Sequence, residues 1–363
     1  MHARALTPKV QRGLPRGVLA LLVIVLPTLF GMPACAADDN SRSEVRAFVA
    51  KMVHEHGFNS RALNATLRAA KRQQIVIDAI SRPAEHVLTW KEYRRIFITK
   101  ARIDQGVTFW NANAAALARA QTQYGVSPEM VVAIIGVETS YGRNTGTFRV
   151  LDALATLAFD YPPRAAFFKG ELEQFLVLTQ EQHIDPKSLL GSYAGAMGFA
   201  QFIPSSYRHF AVDFDSDGAK DLWRNPTDAI GSVANYFREH DWQAGKPVVM
   251  QLTAPAEALD TVAGTDPEPK QRFSELVGKA FTGGAISGDE PVALFKLEGE
   301  SGVEYWLGMH NFYVITRYNH SPLYALAVFQ LANALIAARE TQAKAAQTEA
   351  VPAAAVESGP DAN

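Results

Sequence analysis

Apolar residues along this chain recur mostly at helical spacing. In 41–56, Val45, Phe48, Val49, Met52 and Val53 fall on one face, and Ser41 with Glu44 has the spacing of a capping box. The same periodicity predicts helices over 60–72, 91–103, 106–124, 127–141, 150–159, 163–180, 226–239 and 323–338. Strand signals are few: 248–252, 292–297 and 304–307. The fold class is therefore mainly α (α+β), with a small β component. The stretch 254–289, rich in Asp, Glu, Gly, Pro and Ala, reads as a partly ordered surface excursion. The Ala/Glu/Pro tail 339–363 lacks the apolar content to pack and is expected to be disordered.

One segment departs from amphipathic spacing. Met130 to Val137 holds no charge at all, and it runs directly into Glu138. Ser127-Pro128-Glu129 is a good helix opening: a hydroxyl cap, proline at the first helical position, an acid in the first turn. A helix apolar on nearly every side belongs inside a domain. Glu138 would then stand where a buried helix meets a cleft. Burial raises the pKa of a carboxyl, as a general acid near neutral pH requires. The plainer reading is an exposed Glu in a last turn, beside the helix-ending Gly142. This segment alone leaves both open.

At 363 residues and 48% hydrophobic, the chain can bury a large core in one or two domains. A net charge of -2 gives no electrostatic case for nucleic acid. Residues 1–36 read as an export signal: a basic start with Arg4, Lys9, Arg12 and Arg16, an apolar run from Val18 to Phe30, then Ala34, Ala36 and Ala37. Cys35, the only cysteine, is either an acylated lipobox residue or is discarded by ordinary cleavage nearby. Either way the folded part carries no disulfide.

Three further stretches carry chemistry. In 191–207, small residues alternate with Tyr193, Phe199, Phe202 and Tyr207, and Ser192 and Gln201 supply hydrogen-bonding groups. That mixture suits a sugar groove, since pyranose rings stack on aromatics and need polar partners; a tight helix contact is the alternative. Asp213-Phe214-Asp215-Ser216-Asp217-Gly218 opens like a calcium loop, although Arg224 stands where an EF-hand places its closing Glu. Asp228 is the remaining candidate for that role. A late cluster, Arg317-Tyr318-Asn319-His320-Ser321 with Tyr324, is either a glycan contact or a packed turn.

Taken in order, these motifs resemble the lytic murein transglycosylases of the membrane-bound B type. The matching residues are Val137-Glu138-Thr139-Ser140-Tyr141-Gly142, Leu151 to Leu157, Gly195-Ala196-Met197-Gly198, Gln201 to Tyr207, Asp213 to Gly218, Asp228 to Phe237 and Arg317 to Ser321. The resemblance spans 41–338. It implies a lysozyme-like catalytic core at 125–254 holding the calcium loop, with flanking helical parts at 41–124 and 291–338. It also implies a periplasmic enzyme, soluble or anchored to the outer membrane through Cys35. Such an enzyme cuts the β-1,4 bond between N-acetylmuramic acid and N-acetylglucosamine without water, leaving 1,6-anhydromuramoyl ends.

By the same resemblance Glu138 is the acid and then the base. Ser192, Met197, Gln201, Phe202, Tyr236, Tyr318, Asn319, Tyr324 and Arg164 match substrate-binding positions. Asp213, Asp215, Asp217, the Ala219 carbonyl and Asp228 match ligands of a structural Ca2+. Peptidoglycan strands are the implied partner, and other cell-wall enzymes the class of protein it would join. The chain departs from the family in three places. Pro163-Arg164 replaces a pair of arginines, Phe167 stands for a tyrosine, and the loop before Asp228 is one residue longer. Two other functions compete: a hydrolase using Asp152, Asp160 or Glu171 as a second carboxylate, and a murein-binding protein with no activity.

Overall fold

The computed structural model describes residues 35–81, 88–252, 259–260, 262–276 and 289–350. Two compact units are present, 1–40 and 41–363, and the account below concerns the second. The export signal up to residue 34, the Cys35 side chain, much of 254–289 and the tail from 351 lie outside the described residues.

Helices α1 (Cys35–His56), α2 (Ser60–Arg68), α3 (Gln74–Ile80), α4 (Trp90–Phe97), α5 (Lys100–Ala112) and α6 (Ala114–Tyr124) lead to α7 (Pro128–Thr139). They are followed by α8 (Val150–Phe159), α9 (Ala165–Glu181), α10 (Pro204–Phe210) and α11 (Pro226–Glu239). The chain continues through α12 (Phe273–Leu276), α13 (His310–Tyr318) and α14 (Pro322–Ala350). Strands β1 (Phe148–Arg149) and β2 (Leu190–Gly191) form a short antiparallel pair. A second sheet takes β3 (Val249–Leu252), β4 (Gln271–Arg272), β5 (Pro291–Gly299) and β6 (Gly302–Gly308) in the order β3-β6-β5-β4, all antiparallel.

The uncharged run behaves as its composition requires. Every residue from Met130 to Val137 is buried, and α5, α6, α11 and α14 pack around α7. One apolar cluster joins Phe48 and Trp90, Ile134 and Leu154, and Leu326 and Leu335. The flanking helical parts therefore share a core with the central part. A smaller cluster, including Leu252, Val292 and Leu307, lies against the four-stranded sheet.

Several boundaries differ from the sequence reading. The helix expected at 91–103 breaks after Phe97, because the Thr99 hydroxyl accepts the Arg102 N–H (3.2 Å) and restarts the chain as α5. The helix expected at 106–124 breaks at Asn113, whose side chain donates to the Phe109 carbonyl (2.8 Å). The first helix starts at Cys35, ahead of Ser41. The last helix continues past Ala338 to Ala350, since an Ala-rich sequence sustains a helix on propensity without a packed face.

A buried carboxylate ties the N-terminal helices to α8. Asp152, 3% exposed, accepts from the Lys71 N–H (3.0 Å) and Arg149 Nε (2.9 Å), while Thr156 Oγ1 accepts the Gln73 N–H (3.0 Å). Burial alone would raise this carboxyl, but the Arg149 guanidinium and the Lys71 N–H hold it below its ordinary value. The native state then binds its proton less tightly than the unfolded chain. The stabilisation is complete above the unfolded value, near pH 4, and is lost as pH falls through the lower native value. Asp152→Ala is expected to destabilise by about 2 kcal/mol at pH 7 in urea unfolding, and by less at pH 3. An equal difference at both pH values would show that the ionised carboxylate is not what holds the loop.

Candidate active site

The C-terminus of α7 is an unusual turn. Ser140, Tyr141 and Gly142 all have positive φ (51°, 62° and 83°). Two non-glycine residues in the left-handed region cost of order 1 kcal/mol each, so the surroundings must enforce them. Thr139, 1% exposed, does part of this: its Oγ1 accepts the Gly142 N–H (2.9 Å) and lies 3.1 Å from the carbonyls of both Ile135 and Phe199. The Tyr141 ring stacks on Phe109 (5.6 Å) and fills space left by Gly106 and Gly136. A Cβ on Gly142 would overlap the Phe199 ring. Arg102 donates from α5 to the Gly136 carbonyl, placing a cation at the negative end of α7. These contacts fix the position of Glu138, which is half-buried.

Tyr324, in the first turn of α14, donates its hydroxyl to Glu138 Oε1 at 2.5 Å. The Tyr324 phenol is held well above its ordinary pKa, first by burial and then by the Glu138 charge, so it stays a proton donor. Tyr318 stacks beside it (6.4 Å, 12° between planes) and donates to the Ala200 carbonyl (2.6 Å). Tyr236 donates to the Arg317 carbonyl (2.6 Å) and packs on Tyr318 (4.8 Å) and Phe202 (5.7 Å). Phe202, Tyr236, Tyr318 and Tyr324 thus form one aromatic cluster that runs to Glu138, with Tyr318 half-buried and the other three buried. Asn319 is half-buried in the link between α13 and α14.

The segment 191–203 crosses the end of α7 as an irregular loop. Ser192 Oγ accepts the Ala194 and Ala196 N–H groups (3.2 and 3.0 Å), and Gln201 Nε2 donates to the carbonyls of Gly198 (2.9 Å) and Thr145 (3.2 Å). Both side chains are half-buried.

Two of the substrate positions named from the sequence are placed differently. Met197 is fully buried and bridges to Gly191 and Phe202, so it lies under the groove surface. Arg164 is exposed and rests on the rings of Phe167 (4.6 Å) and Phe168 (5.1 Å) at the start of α9. The candidate second carboxylates are engaged elsewhere. Asp152 holds Lys71 and Arg149, Asp160 pairs with Arg72 (3.5 Å), and Glu171 accepts from Ser205 N and Oγ (3.0 and 2.7 Å). Arg102 and Thr139 escaped the sequence reading. Both act on backbone groups, and Arg102 is brought to α7 only by tertiary packing.

Asp213, Asp215 and Asp217 bring carboxylate oxygens within 4.8 Å of one another. Asp213 accepts from the Asp217 and Gly218 N–H groups (3.1 and 2.9 Å), and Gly218 takes φ +95°, which shapes the turn. This all-oxygen set suits a hard cation such as calcium. The Ala219 N–H donates to Asp217 (2.9 Å). Asp228 is not a member of the cluster. It is fully buried, and its two oxygens accept the N–H groups of Phe214 (2.7 Å) and Asp221 (2.8 Å). Asp228 reaches the loop from α11, and its carboxylate holds the loop's backbone at Phe214 and Asp221.

A family model described as "Transglycosylase SLT domain" matches residues 40–333. Membrane-bound lytic murein transglycosylase B of Escherichia coli is 44% identical over 312 residues, covering 83% of this chain and 85% of that protein. The structure of soluble lytic transglycosylase SltB1 from Pseudomonas aeruginosa is similar with a TM-score of 0.78 and 51% identity, over 82% of this chain and 99% of that one. The Escherichia coli lytic transglycosylase Slt35, in complex with calcium, has a TM-score of 0.75 at 44% identity, over 83% and 93% of the two chains. These similarities extend to the mainly helical, lysozyme-like architecture described above. The chain belongs to the lytic murein transglycosylases of the SLT-domain family, enzymes that act on peptidoglycan.

Proposed function

We propose that Glu138 carries both proton transfers in a cleavage that uses no water. The carboxylic acid protonates the oxygen linking N-acetylmuramic acid to N-acetylglucosamine, and the C1–O bond breaks. The muramoyl C6 hydroxyl then attacks C1 and gives its proton to the Glu138 carboxylate. A 1,6-anhydro ring closes and the acid is regenerated. The observation that carries this reading is the Tyr324–Glu138 hydrogen bond at the end of the aromatic cluster. A phenol can donate to the carboxylate and accept from the acid, so one hydroxyl can hold Oε1 in place through both steps. A hydrolase would need a second carboxylate within about 5–10 Å to serve as nucleophile or to activate water. The engagement of Asp152, Asp160 and Glu171 with other partners weighs against that route.

Ser192, Gln201 and Asn319 are the polar groups we assign to the sugar's hydroxyl and amide substituents, with the half-buried Tyr318 as the apolar face and the buried Phe202 and Tyr236 backing it. Asp213, Asp215 and Asp217, with the Ala219 carbonyl, would hold calcium, as the relative solved with that ion supports. Its part is structural: it neutralises three clustered charges. Peptidoglycan lies outside the cytoplasmic membrane, which fits an export signal at 1–36 and a periplasmic location, with or without lipid on Cys35. Digestion of purified murein, with the sugar ends identified by mass, is expected to yield anhydromuramoyl ends. Reducing muramic acid ends would overturn the proposal.

A further inference from the structure

Thr139, the residue after Glu138, is 1% exposed and ends α7. Its Oγ1 accepts the Gly142 N–H and has one proton to give. The Ile135 carbonyl already takes the Tyr141 N–H (3.3 Å), so we assign that proton to the Phe199 carbonyl, 3.1 Å away. This bond ties the turn that carries Glu138 to the loop 191–203.

The next residue of that loop is gripped by a different element. The Ala200 carbonyl accepts the Tyr318 hydroxyl (2.6 Å), and Tyr318 stacks on Tyr324, whose hydroxyl holds Glu138 Oε1. Two adjacent carbonyls thus reach the two supports of one carboxylate: its backbone through Thr139, and its phenol partner through Tyr318. The segment between them has little freedom. The Phe199 N–H is held by the Leu222 carbonyl (2.8 Å), and the Phe199 ring lies where a Cβ on Gly142 would stand. Gln201 is kept in the left-handed region (φ 48°) while its side chain donates to the Gly198 and Thr145 carbonyls.

We propose that Phe199–Ala200 is a brace that sets the distance between Glu138 and Tyr324, and that Thr139 is the positioning residue through which it acts on Glu138. The proposal rests on Glu138 as the acid and deepens that assignment. A hydrogen bond to a carboxylate weakens steeply as its length and angle depart from their optimum. Releasing the brace therefore loosens the grip on Oε1 while leaving both the acid and the phenol in the protein.

The experiment is a double-mutant cycle in kcat on soluble glycan strands. Thr139→Val keeps the shape of the side chain and removes its hydroxyl. It is expected to lower kcat about tenfold when Tyr324 is present, the worth of one hydrogen bond. In the Tyr324→Phe background, where the contact it positions is gone, the loss should shrink to less than about twofold. Thr139→Ser should recover most of the activity. Tyr318→Phe releases the brace at Ala200 without touching α7, and its effect should depend on Tyr324 in the same way; it decides the question if Thr139→Val fails to fold. A residue that only stabilises the fold would lower the melting temperature and act independently of Tyr324. Losses that multiply in the double variants, or a folded Thr139→Val protein with wild-type kcat, overturn the proposal. Glu138→Gln is measured alongside. Wild-type kcat there would remove the assignment of the acid and the brace with it, whereas an inactive Glu138→Gln with multiplying losses would remove the brace alone.

Discussion

Replacing Glu138 with glutamine is expected to lower kcat on murein by about 10²–10⁴-fold, the range for loss of a general acid–base. The figure should fall at its upper end, because one residue is asked to serve both halves of the reaction. Glutamine keeps an acceptor for the Tyr324 hydroxyl and fills the same space, so the turn at Ser140–Gly142 need not move. KM should change little, since no sugar contact is removed. Tyr324→Phe gives the graded comparison. It deletes one hydrogen bond to a charged group and should reduce kcat by about 10–100-fold. The pair is measured in steady state on soluble glycan strands. A Glu138→Gln protein with normal kcat and raised KM would make Glu138 a binding group, and the acid would have to be sought elsewhere.

How far the chain could be read depended on whether the deciding contact was local. Helices α7, α8 and α11 stand within a residue or two of their expected bounds. Pro128 and Pro226 mark two starts, and buried apolar runs define the interiors. The breaks at Thr99 and Asn113 were missed because a capping side chain inside a periodic stretch does not disturb the apolar spacing. Helix α10 was hidden by residues that read as groove contacts, and α13 by its length of 9 residues, with only its end, Arg317 and Tyr318, inside a stretch singled out for its chemistry. The run before Glu138 placed it at the end of a buried helix, where it stands half-buried. Its partner Tyr324 lies 186 residues away, and only the resemblance brought the two together. Composition also could not say which residues of a small, apolar loop face outward, and so Met197 was assigned to the groove surface.

Asp228 shows the same limit and gives the second large effect. Asp228→Ala is expected to destabilise the protein by about 3–5 kcal/mol. Two backbone N–H groups, on Phe214 and Asp221, would lose their acceptor inside the structure, at about 1–3 kcal/mol each. The melting temperature should fall by about 5–10 °C. Burial holds this carboxyl above its ordinary value, and the N–H groups of Asp221, Phe214 and Asp215 pull it only part of the way back. A clamp and a ligand make different predictions when the metal is absent. A clamp stabilises the loop with or without the ion, so Asp228→Ala should melt lower than wild type even in EGTA. A ligand stabilises only through binding: its loss would abolish the calcium-dependent shift, worth about 2.7 kcal/mol at a hundredfold excess over Kd, and leave the metal-free protein unharmed. Loss of the calcium shift is expected for Asp215→Ala, whose carboxylate belongs to the exposed cluster, with only a small drop in EGTA from its lost contact with the Asn225 side chain (2.7 Å). Melting curves of wild type, Asp228→Ala and Asp215→Ala, each with calcium and with EGTA, separate the roles. If Asp228→Ala matched wild type in EGTA, the buried carboxylate would be a calcium ligand after all and the clamp would be wrong.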